Sequence, residues 1–353
     1  MKHKFNYKWT LKDANFTKDK GKVFSCFACG GGSTMGYKLA GFDVIGCNEI
    51  DPKMMEAYIA NHHPKYSYLE PIQTFKLRDD LPQELYELDI LDGSPPCSSF
   101  SMVGNRGKDW GKEKKFKEGQ ADQVLDTLFF DFIELGKKLQ PKVIVAENVK
   151  GLILGDAQKY VSKILDAFND AGYFVDFKLL NASKMGVPQR RERVFFYAIR
   201  KDLYSGLFVD LFRTRPKLGL EFCENEIQFG KLSDGNGKHL SELYHGRWLE
   251  RRLGDMSFGD ITERIDGKAK CFSDVLFHHD RVGWTITSGS KMVDFETGRC
   301  LTDNVLKMCG SFPSDYIGAP AKAQYLIGMS VPPIMMAQVA TRIYEQWFEG
   351  AMI

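Results

Sequence analysis

Residues 23–36 read VFSCFACGGGSTMG, an apolar run that passes through glycines into a segment of helical period. Glycines at a strand-to-helix turn let the backbone approach a ligand closely and present amide groups at a helix N-terminus. The spacing differs from the dinucleotide fingerprint G-x-G-x-x-G. The stretch therefore predicts a first strand followed by either a ligand-binding turn or a plain tight turn.

The chain around this stretch alternates short apolar runs with helix-period segments. Candidate strands cover residues 23–28, 44–48, 88–91, 142–146, 173–180 and 193–199. Candidate helices cover residues 120–139, 157–171 and 334–348. Strands that alternate with helices indicate an α/β fold with a mostly parallel sheet. Residues 201–283 lack this alternation, which indicates a second, smaller domain.

The composition narrows the class of protein. The 353 residues include 48 basic and 46 acidic side chains, so the net charge of +2 gives no sign of nucleic-acid binding. We see no run near the ~20 apolar residues of a membrane span, and the start lacks an apolar signal core. The eight cysteines are scattered, which predicts reduced thiols in a cytoplasmic protein. Cys26 and Cys29 form one C-x-x-C without a second, so no metal is expected.

An acidic pair follows the second candidate strand. In an open α/β sheet, ligands bind outside the carboxyl ends of the strands. Glu49 lies 17 positions after Gly32, where an α/β nucleotide site binds ribose hydroxyls. Asp51 precedes Pro52, which predicts a helix cap. Both roles are compatible.

Three further strands border residues that could carry chemistry. Cys97 follows two prolines, which would hold its thiol in a fixed geometry. Glu147 follows the apolar residues 143–146, where a carboxylate is costly unless it has a partner, so a structural salt bridge is the alternative. The segment QRRER at 189–193 suits carboxylates, phosphates or carbonyl oxygens, although a solvated charge run is also open.

The order of these segments resembles the cytosine-C5 DNA methyltransferases of bacteria and phages. The shared motifs are FA-x-GG at 27–31, NE-x-D at 48–51, PC-x-x-FS at 96–101, ENV at 147–149 and Q-x-R-x-R at 189–193. Residues 299–313 and 328–332 look like the family's ninth and tenth motifs, so the resemblance spans about 23–345. It implies a Rossmann-like methyltransferase domain, residues 1–203 plus 321–353, and a target-recognition domain, residues 204–320.

The resemblance implies methyl transfer from S-adenosylmethionine (AdoMet) to C5 of a flipped-out cytosine in a specific duplex DNA sequence, leaving S-adenosyl-L-homocysteine. The Cys97 thiolate adds to C6, so that C5 can attack the methyl group. The setting would be a restriction-modification system or an orphan or phage modification enzyme. Duplex DNA is the expected partner, a cognate restriction endonuclease is an option, and a monomer is expected.

The resemblance also assigns roles to individual residues. The predicted catalytic residues are Cys97, Glu147, Arg191 and Arg193. The predicted cofactor contacts are Phe27, Ala28, Cys29, Gly30, Gly31, Glu49, Ile50, Ile72, Pro96, Ser330 and Val331. The predicted DNA contacts are Ser98, Ser101, Arg106, Asn148 and Gln189. Glu147 would contact N3 and the exocyclic amine of cytosine, and Arg193 would hold O2. The basic segment 104–117 would close over the DNA.

Three positions on the cofactor side depart from the family's pattern. Cys29 replaces a glycine, Pro71 stands where the family has an acid, and Met329 replaces an asparagine. These departures leave open a methyltransferase-like protein that binds DNA without turnover.

Two other classes of enzyme compete with the DNA methyltransferase. A branch of the family that methylates cytosine in transfer RNA carries Cys-Phe-Thr near the place where this chain has CFS at 271–273. A nicotinamide dehydrogenase would share the glycine loop and the acid after it, but it would not explain Cys97 or Glu147. The dehydrogenase is therefore set aside, and the transfer RNA enzyme stays open.

Overall fold

The computed structural model describes residues 3–96, 127–203 and 217–349. Several predicted features lie outside the described residues: the nucleophile Cys97, the DNA contacts Ser98, Ser101 and Arg106, the basic segment 104–117 and the start of the predicted helix 120–139. They stay predictions.

A seven-stranded sheet has the strand order β3-β2-β1-β4-β5-β7-β6. The strands are β1 (Lys22–Cys26), β2 (Asp43–Glu49), β3 (Tyr66–Leu69), β4 (Ile90–Gly93), β5 (Val143–Val149), β6 (Tyr173–Asn181) and β7 (Glu192–Arg200). Strands β1 to β5 pair in parallel, and β7 runs antiparallel to β5. The predicted strands and the mostly parallel α/β sheet are confirmed, and β3 is an addition. Its four residues alternate between half-buried and exposed, so they lack an apolar run.

Helices flank these strands along the chain. They are α1 (Gly32–Leu39), α2 (Pro52–His62), α3 (Ile72–Phe75), α4 (Leu128–Leu139), α5 (Gln158–Asp170), α6 (Glu242–Leu249), α7 (Phe258–Asp266), α8 (Asp303–Cys309), α9 (Ala323–Met329) and α10 (Pro333–Ile343). The predicted helices over 157–171 and 334–348 are confirmed as α5 and as α10, which continues into a π-helical turn, Tyr344–Phe348. Helix α4 matches the described part of the third predicted helix.

Within the part of the chain that the structure describes, one helical stretch, Ala323–Phe348, is long and apolar enough to cross a membrane by length and composition. Within the protein, 83% of its most apolar window is buried. The core helix of a globular protein meets the same test, so this stretch is weak evidence for a membrane span.

Strand β5, in the interior of the sheet, shows why the sheet forms here. Its first four residues, Val143 to Ala146, are fully buried. A parallel strand that is covered on both faces is expected to be a continuous apolar run, because neither face meets water. Glu147 then enters at the carboxyl end of the strand and is still only 7% exposed. The sequence thus places a charged group where the core ends.

The chain groups into two compact units. The first contains Met1–Ala14, Asn181–Arg191 and Phe222–Met335, and the second contains Asn15–Leu180, Glu192–Glu221 and Met336–Ile353. The second unit holds the seven-stranded sheet, whereas the first holds helices α6 to α9 and a parallel strand pair, β8 (Val275–Phe277) and β9 (Met292–Asp294). These boundaries differ from the predicted division at 203/204 and 320/321. The assignment of catalytic and recognition roles to the two parts stays a prediction.

Candidate active site

The glycine loop after β1 adopts a backbone that favours glycine. Phe27 and Cys29 have φ values of +50° and +48°, and Gly31, the N-cap of α1, has a φ of +83°. A left-handed conformation costs a residue with a side chain about 1–2 kcal/mol, so the loop holds strain at Cys29. Cys29 is one of the three positions at which this chain departs from the motif pattern that the resemblance implies.

Glu49 ties the end of β2 to this loop. Its Oε2 accepts a 2.6 Å hydrogen bond from the Cys29 N–H, and its Oε1 accepts from the N–H groups of Ile50 and Asp51 at 2.8 and 2.9 Å. Burial raises the pKa of Glu49, while the three N–H groups act against that shift. A carboxylate held in this way at a strand end suits the binding of ribose hydroxyls.

The neighbouring predicted cap is confirmed. The side chain of Asp51 accepts from the N–H groups of Lys53 and Met54 at the start of α2. Asp51 therefore satisfies the helix N-terminus, which leaves Glu49 as the acid of this strand end that faces the glycine loop.

The segment after β3 starts with Glu70, Pro71 and Ile72. Pro71 is the N-cap of α3, and Ile72 is 3% exposed within the hydrophobic core. The Glu70 carboxylate forms a salt bridge with Arg78, with 2.9 Å between Oε1 and a guanidinium nitrogen. The Asn48 side chain donates to the Tyr68 and Glu70 carbonyls and so fixes the end of β3. Ile72 thus lies in the core, and its cofactor contact stays a prediction.

Asp92, in β4, is a buried acid that the sequence reasoning did not select. It is 1% exposed, and its Oδ2 accepts from the Ser25 and Ser33 hydroxyls at 2.8 and 2.7 Å. Burial raises the pKa of Asp92 to about 6, although these hydrogen bonds lower it. Little in the sequence marks this acid as buried, because Asp92 follows only two apolar residues and precedes a glycine.

The segment that leads to Cys97 is fixed to the end of β5. The Asn148 side chain donates a 3.0 Å hydrogen bond to the buried Pro95 carbonyl and accepts from the Val149 N–H at 2.8 Å. Pro96, the next residue along the chain, is half-buried. The amide of Asn148 therefore holds the proline segment, and its DNA contact stays a prediction.

Glu147 has the partner that its position requires. The Arg193 Nε lies 2.9 Å from the Glu147 Oε1, and both side chains are largely buried. A second guanidinium nitrogen of Arg193 donates to the Glu192 carbonyl at 2.8 Å. Burial lowers the pKa of Arg193, and the charge of Glu147 acts in the opposite direction. The partner that a buried carboxylate requires is thus Arg193, and the ion pair lies at the carboxyl end of β5. The predicted catalytic roles of both residues stay predictions.

Arg191 contacts backbone carbonyls. It is 2% exposed and donates to the carbonyls of Ile286, Gly328 and Ser330 at 3.1, 2.9 and 2.9 Å. The geometry gives Arg191 a positioning function within its own unit, where it is brought together with Ser330. Its predicted contact with the substrate is untested.

Gln189 also braces this unit. Its side chain donates to the Cys309 carbonyl at 3.2 Å and accepts from the Ile286 N–H at 3.0 Å. It is 1% exposed, and the predicted Val331 is likewise buried. The side chain of Gln189 therefore serves backbone groups of its own chain.

One group among the described residues could hold a metal ion. Side-chain atoms of His279, Asp294 and Glu296 lie within 4.8 Å of one another. The Asp294 carboxylate already accepts from the Ser233 hydroxyl and from the N–H groups of Glu296 and Thr297. Such a carboxylate is satisfied within the protein, and the expected absence of a metal stays a prediction.

The mostly parallel sheet with flanking helices is the fold of AdoMet-dependent methyltransferases, as the solved structures similar to this chain show. A protein described as a DNA modification methyltransferase and encoded within an E. coli prophage matches with a TM-score of 0.65 at 17% identity, over 92% of this chain and 98% of that one. A mutant of DNMT2 from Spodoptera frugiperda matches with a TM-score of 0.59 at 15% identity, over 92% and 99%.

The chain belongs to the C-5 cytosine-specific DNA methylase family, whose model matches residues 21–345. The Type II methyltransferase M1.HphI of Haemophilus parahaemolyticus is 29% identical over 90% of this chain and 85% of its own length. M.MthTI of Methanothermobacter thermautotrophicus is 30% identical over 94% and 98%. The orphan methyltransferase M.SPRI of Bacillus phage SPR is 36% identical, over 65% of this chain and 46% of its own length.

Family and fold imply AdoMet as the cofactor, and the residues present fit it. Gly31 provides no side-chain cap to α1, so an external anion such as the AdoMet carboxylate suits this helix end. Glu49 suits the ribose hydroxyls. The three cofactor-side departures do not remove either feature.

Proposed function

We propose that this protein transfers a methyl group from AdoMet to C5 of cytosine in a specific duplex DNA sequence, in a restriction-modification system or as a phage or orphan enzyme. The buried Glu147–Arg193 ion pair carries this proposal. It lies at the end of β5, and the next residue, Asn148, holds the proline segment that leads to Cys97. A carboxyl group and a guanidinium side by side suit cytosine. The carboxyl group can bond N3, which gains a proton as the adduct forms, and the exocyclic amine, and the guanidinium can donate to O2.

The proposed chemistry begins with the Cys97 thiolate. It forms a bond to C6, which makes C5 nucleophilic, while Glu147 holds N3 and the exocyclic amine and Arg193 holds O2. AdoMet supplies an electrophilic methyl group to C5. A base then removes the C5 proton, the C5–C6 double bond reforms and the C6–S bond breaks, which frees Cys97.

The location of the acid supports base flipping. Glu147 is 7% exposed at a strand end, and a base inside a stacked duplex cannot reach such a group. We propose that the target cytosine leaves the helix and that Ser98, Ser101, Arg106 and the segment 104–117 contact DNA around it. Residues 204–320 are proposed to read the sequence, and a cytoplasmic monomer is the proposed state.

The test measures transfer of labelled methyl from AdoMet to unmethylated duplex DNA and, in parallel, to unmodified transfer RNA. Cys97→Ser removes the proposed nucleophile, and Cys223→Ser, at an exposed free cysteine, is the matched control. Label in DNA that requires Cys97, located at one short sequence by bisulfite sequencing, supports the proposal. Label only in RNA supports the transfer RNA enzyme. No label in either, with DNA still bound, refutes the proposed activity.

A further inference from the structure

A buried acid in β4 holds the first turn of helix α1. Asp92 accepts hydrogen bonds from Ser33, the second residue of α1, and from Tyr37, one turn further along, at 2.7 and 3.3 Å. It also accepts from Ser25 in the neighbouring strand β1 at 2.8 Å. All four residues are buried. One carboxylate therefore connects a strand, its neighbour and the helix that follows the glycine loop.

This arrangement is costly for the fold. Among the described residues, the hydrogen-bond donors of Asp92 are three neutral hydroxyls. The ionisable groups that face it are Cys26 from β1, Tyr37 from α1 and Glu147 from β5, and none of them supplies a positive charge. A buried charge without a cation is less stable than a neutral residue of similar volume. Residues that reduce stability in this way are expected where activity needs them.

The helix end that Asp92 holds is the one proposed to receive the cofactor. Helix α1 has no side-chain cap at Gly31 and no acid in its first turn. The carboxylate of Asp92 reaches this turn from the sheet, through Ser33. Along the chain, Asp92 is followed by Gly93 and by the proline segment that Asn148 holds. Asp92 is thus anchored between the glycine loop and the segment that leads to the nucleophile.

We infer that Asp92 is a positioning residue for methyl transfer, which acts through Ser33 to hold the glycine loop in the conformation that binds AdoMet. This inference rests on the proposed function, because it takes the glycine loop as the cofactor site. Ser25 bonds the same carboxylate oxygen but belongs to the sheet, so its bond does not hold the loop.

The two serines provide a matched pair of variants. Ser33→Ala and Ser25→Ala each remove one hydroxyl from Oδ2 of Asp92, and both should lower the melting temperature by similar amounts. Binding of S-adenosylhomocysteine, measured by calorimetry, should weaken about tenfold in Ser33→Ala and stay within twofold of the parent in Ser25→Ala. Equal effects on binding, or no effect of Ser33→Ala, would overturn the inference.

Asp92→Asn separates an effect through Asp92 from a direct contact of Ser33 with the ligand. The amide keeps the shape but loses charge-assisted bonding, so binding should weaken about fivefold while the melting temperature at pH 8 rises. In a double variant that combines Ser33→Ala with Asp92→Asn, the two losses of binding should not add, because both substitutions break the same Ser33–Asp92 hydrogen bond. Additive losses, or a lower melting temperature in Asp92→Asn, would contradict the inference.

Asp89→Asn is the control, because Asp89 is an acid just before the start of β4, at the opposite end of this strand from the proline segment. Asp89 precedes β4, accepts from the Lys22 N–H at 2.7 Å and pairs with Lys142 at 2.9 Å. Its loss should leave ligand binding unchanged. The parent protein distinguishes the two hypotheses: failure of the parent to bind S-adenosylhomocysteine refutes the cofactor assignment, whereas equal binding by the parent and Asp92→Asn refutes the role of Asp92 alone.

Discussion

Arg193 and Glu147 are diagonal neighbours on one face of the antiparallel pair β5–β7. Val149 is paired with Arg193 and Glu147 with Phe195, which places the two charged side chains two residues apart across the ladder. Their 2.9 Å contact follows from this register, since diagonal side chains on one face lie within reach of a long residue. Strand β7, which runs antiparallel to β5, therefore places the guanidinium of Arg193 beside the carboxylate of Glu147 at the carboxyl end of β5.

Glu147→Gln is expected to slow methyl transfer at least a hundredfold, because the amide can neither protonate N3 nor balance the positive charge that the ring gains when N3 is protonated. Single-turnover transfer to duplex DNA under saturating AdoMet measures this effect. Glu192→Gln is the control, since Glu192 forms a partly exposed salt bridge with Lys150 and its loss should cost under about 1 kcal/mol. A rate for Glu147→Gln within twofold of the parent would remove Glu147 from the mechanism.

Cys97→Ser is expected to abolish methyl transfer and to leave S-adenosylhomocysteine binding nearly unchanged, because a serine hydroxyl is a far weaker nucleophile at neutral pH. Denaturing electrophoresis with DNA that contains 5-fluorocytosine should trap a covalent complex for the parent and for Cys223→Ser, but none for Cys97→Ser. Trapping by the serine variant would show that another residue attacks the base.

The stability of the protein is expected to depend on pH through Asp92. Its pKa is raised from 3.8 to about 6 in the fold, so the folded state binds the proton more tightly than the unfolded chain. The resulting stability is fully present below pH 3.8 and is lost as pH rises through 6. Between pH 5 and pH 8, the free energy of unfolding of the parent should fall by about 1.4 kcal/mol relative to that of Asp92→Asn. Urea unfolding of both proteins across this range measures the difference, and parallel curves would count against the raised pKa.

Glu49→Gln is expected to weaken S-adenosylhomocysteine binding about tenfold. The amide has one acceptor oxygen, so it cannot accept from the Cys29 N–H and from the Ile50 N–H as the carboxylate does. Calorimetry measures the affinity. Glu70→Gln is the control, because Glu70 pairs with Arg78 and is not proposed to contact the cofactor. The same affinity in Glu49→Gln as in the parent would place the ribose contact elsewhere.

Arg191→Met is expected to lower the free energy of unfolding by about 3 kcal/mol or more, because the carbonyls of Ile286, Gly328 and Ser330 would lose their donors in a buried place. Chemical unfolding measures the loss, and Arg190→Met, at the exposed neighbouring arginine, should change it little. An Arg191→Met protein of unchanged stability with lost activity would instead support the predicted contact with the substrate.

Local pattern predicted most of the sheet and the local environment of some candidate site residues. The apolar run at 143–146 predicted a buried strand, and the cost of a charge at its end predicted a partner for Glu147. Asp51 before Pro52 predicted a cap that the structure confirms. Each of these inferences uses residues a few positions apart, where the period of a strand or the chemistry of a helix terminus acts directly.

Features that depend on distant pairing could not be predicted in the same way. Asp92 follows only two apolar residues and precedes a glycine, so it resembled a turn residue rather than a buried acid. The carbonyl partners of Arg191 lie 95 to 139 residues further along the chain, and no period in the sequence connects them. The compact units consequently divide the chain at positions that composition does not mark.

Gln189 and Arg191 donate hydrogen bonds to backbone carbonyls about 95 to 139 residues further along the chain, and this affects how hybrid enzymes should be assembled. An engineer who exchanges residues 204–320, the proposed recognition segment, keeps Gln189 and Arg191 from one parent but takes Ile286 and Cys309 from the other. Backbone carbonyls are present in any donor, but their spacing around a guanidinium is not guaranteed. Transplanting residues 181–191 together with 222–335 takes Arg191 and the carbonyl groups that it bonds from the same parent.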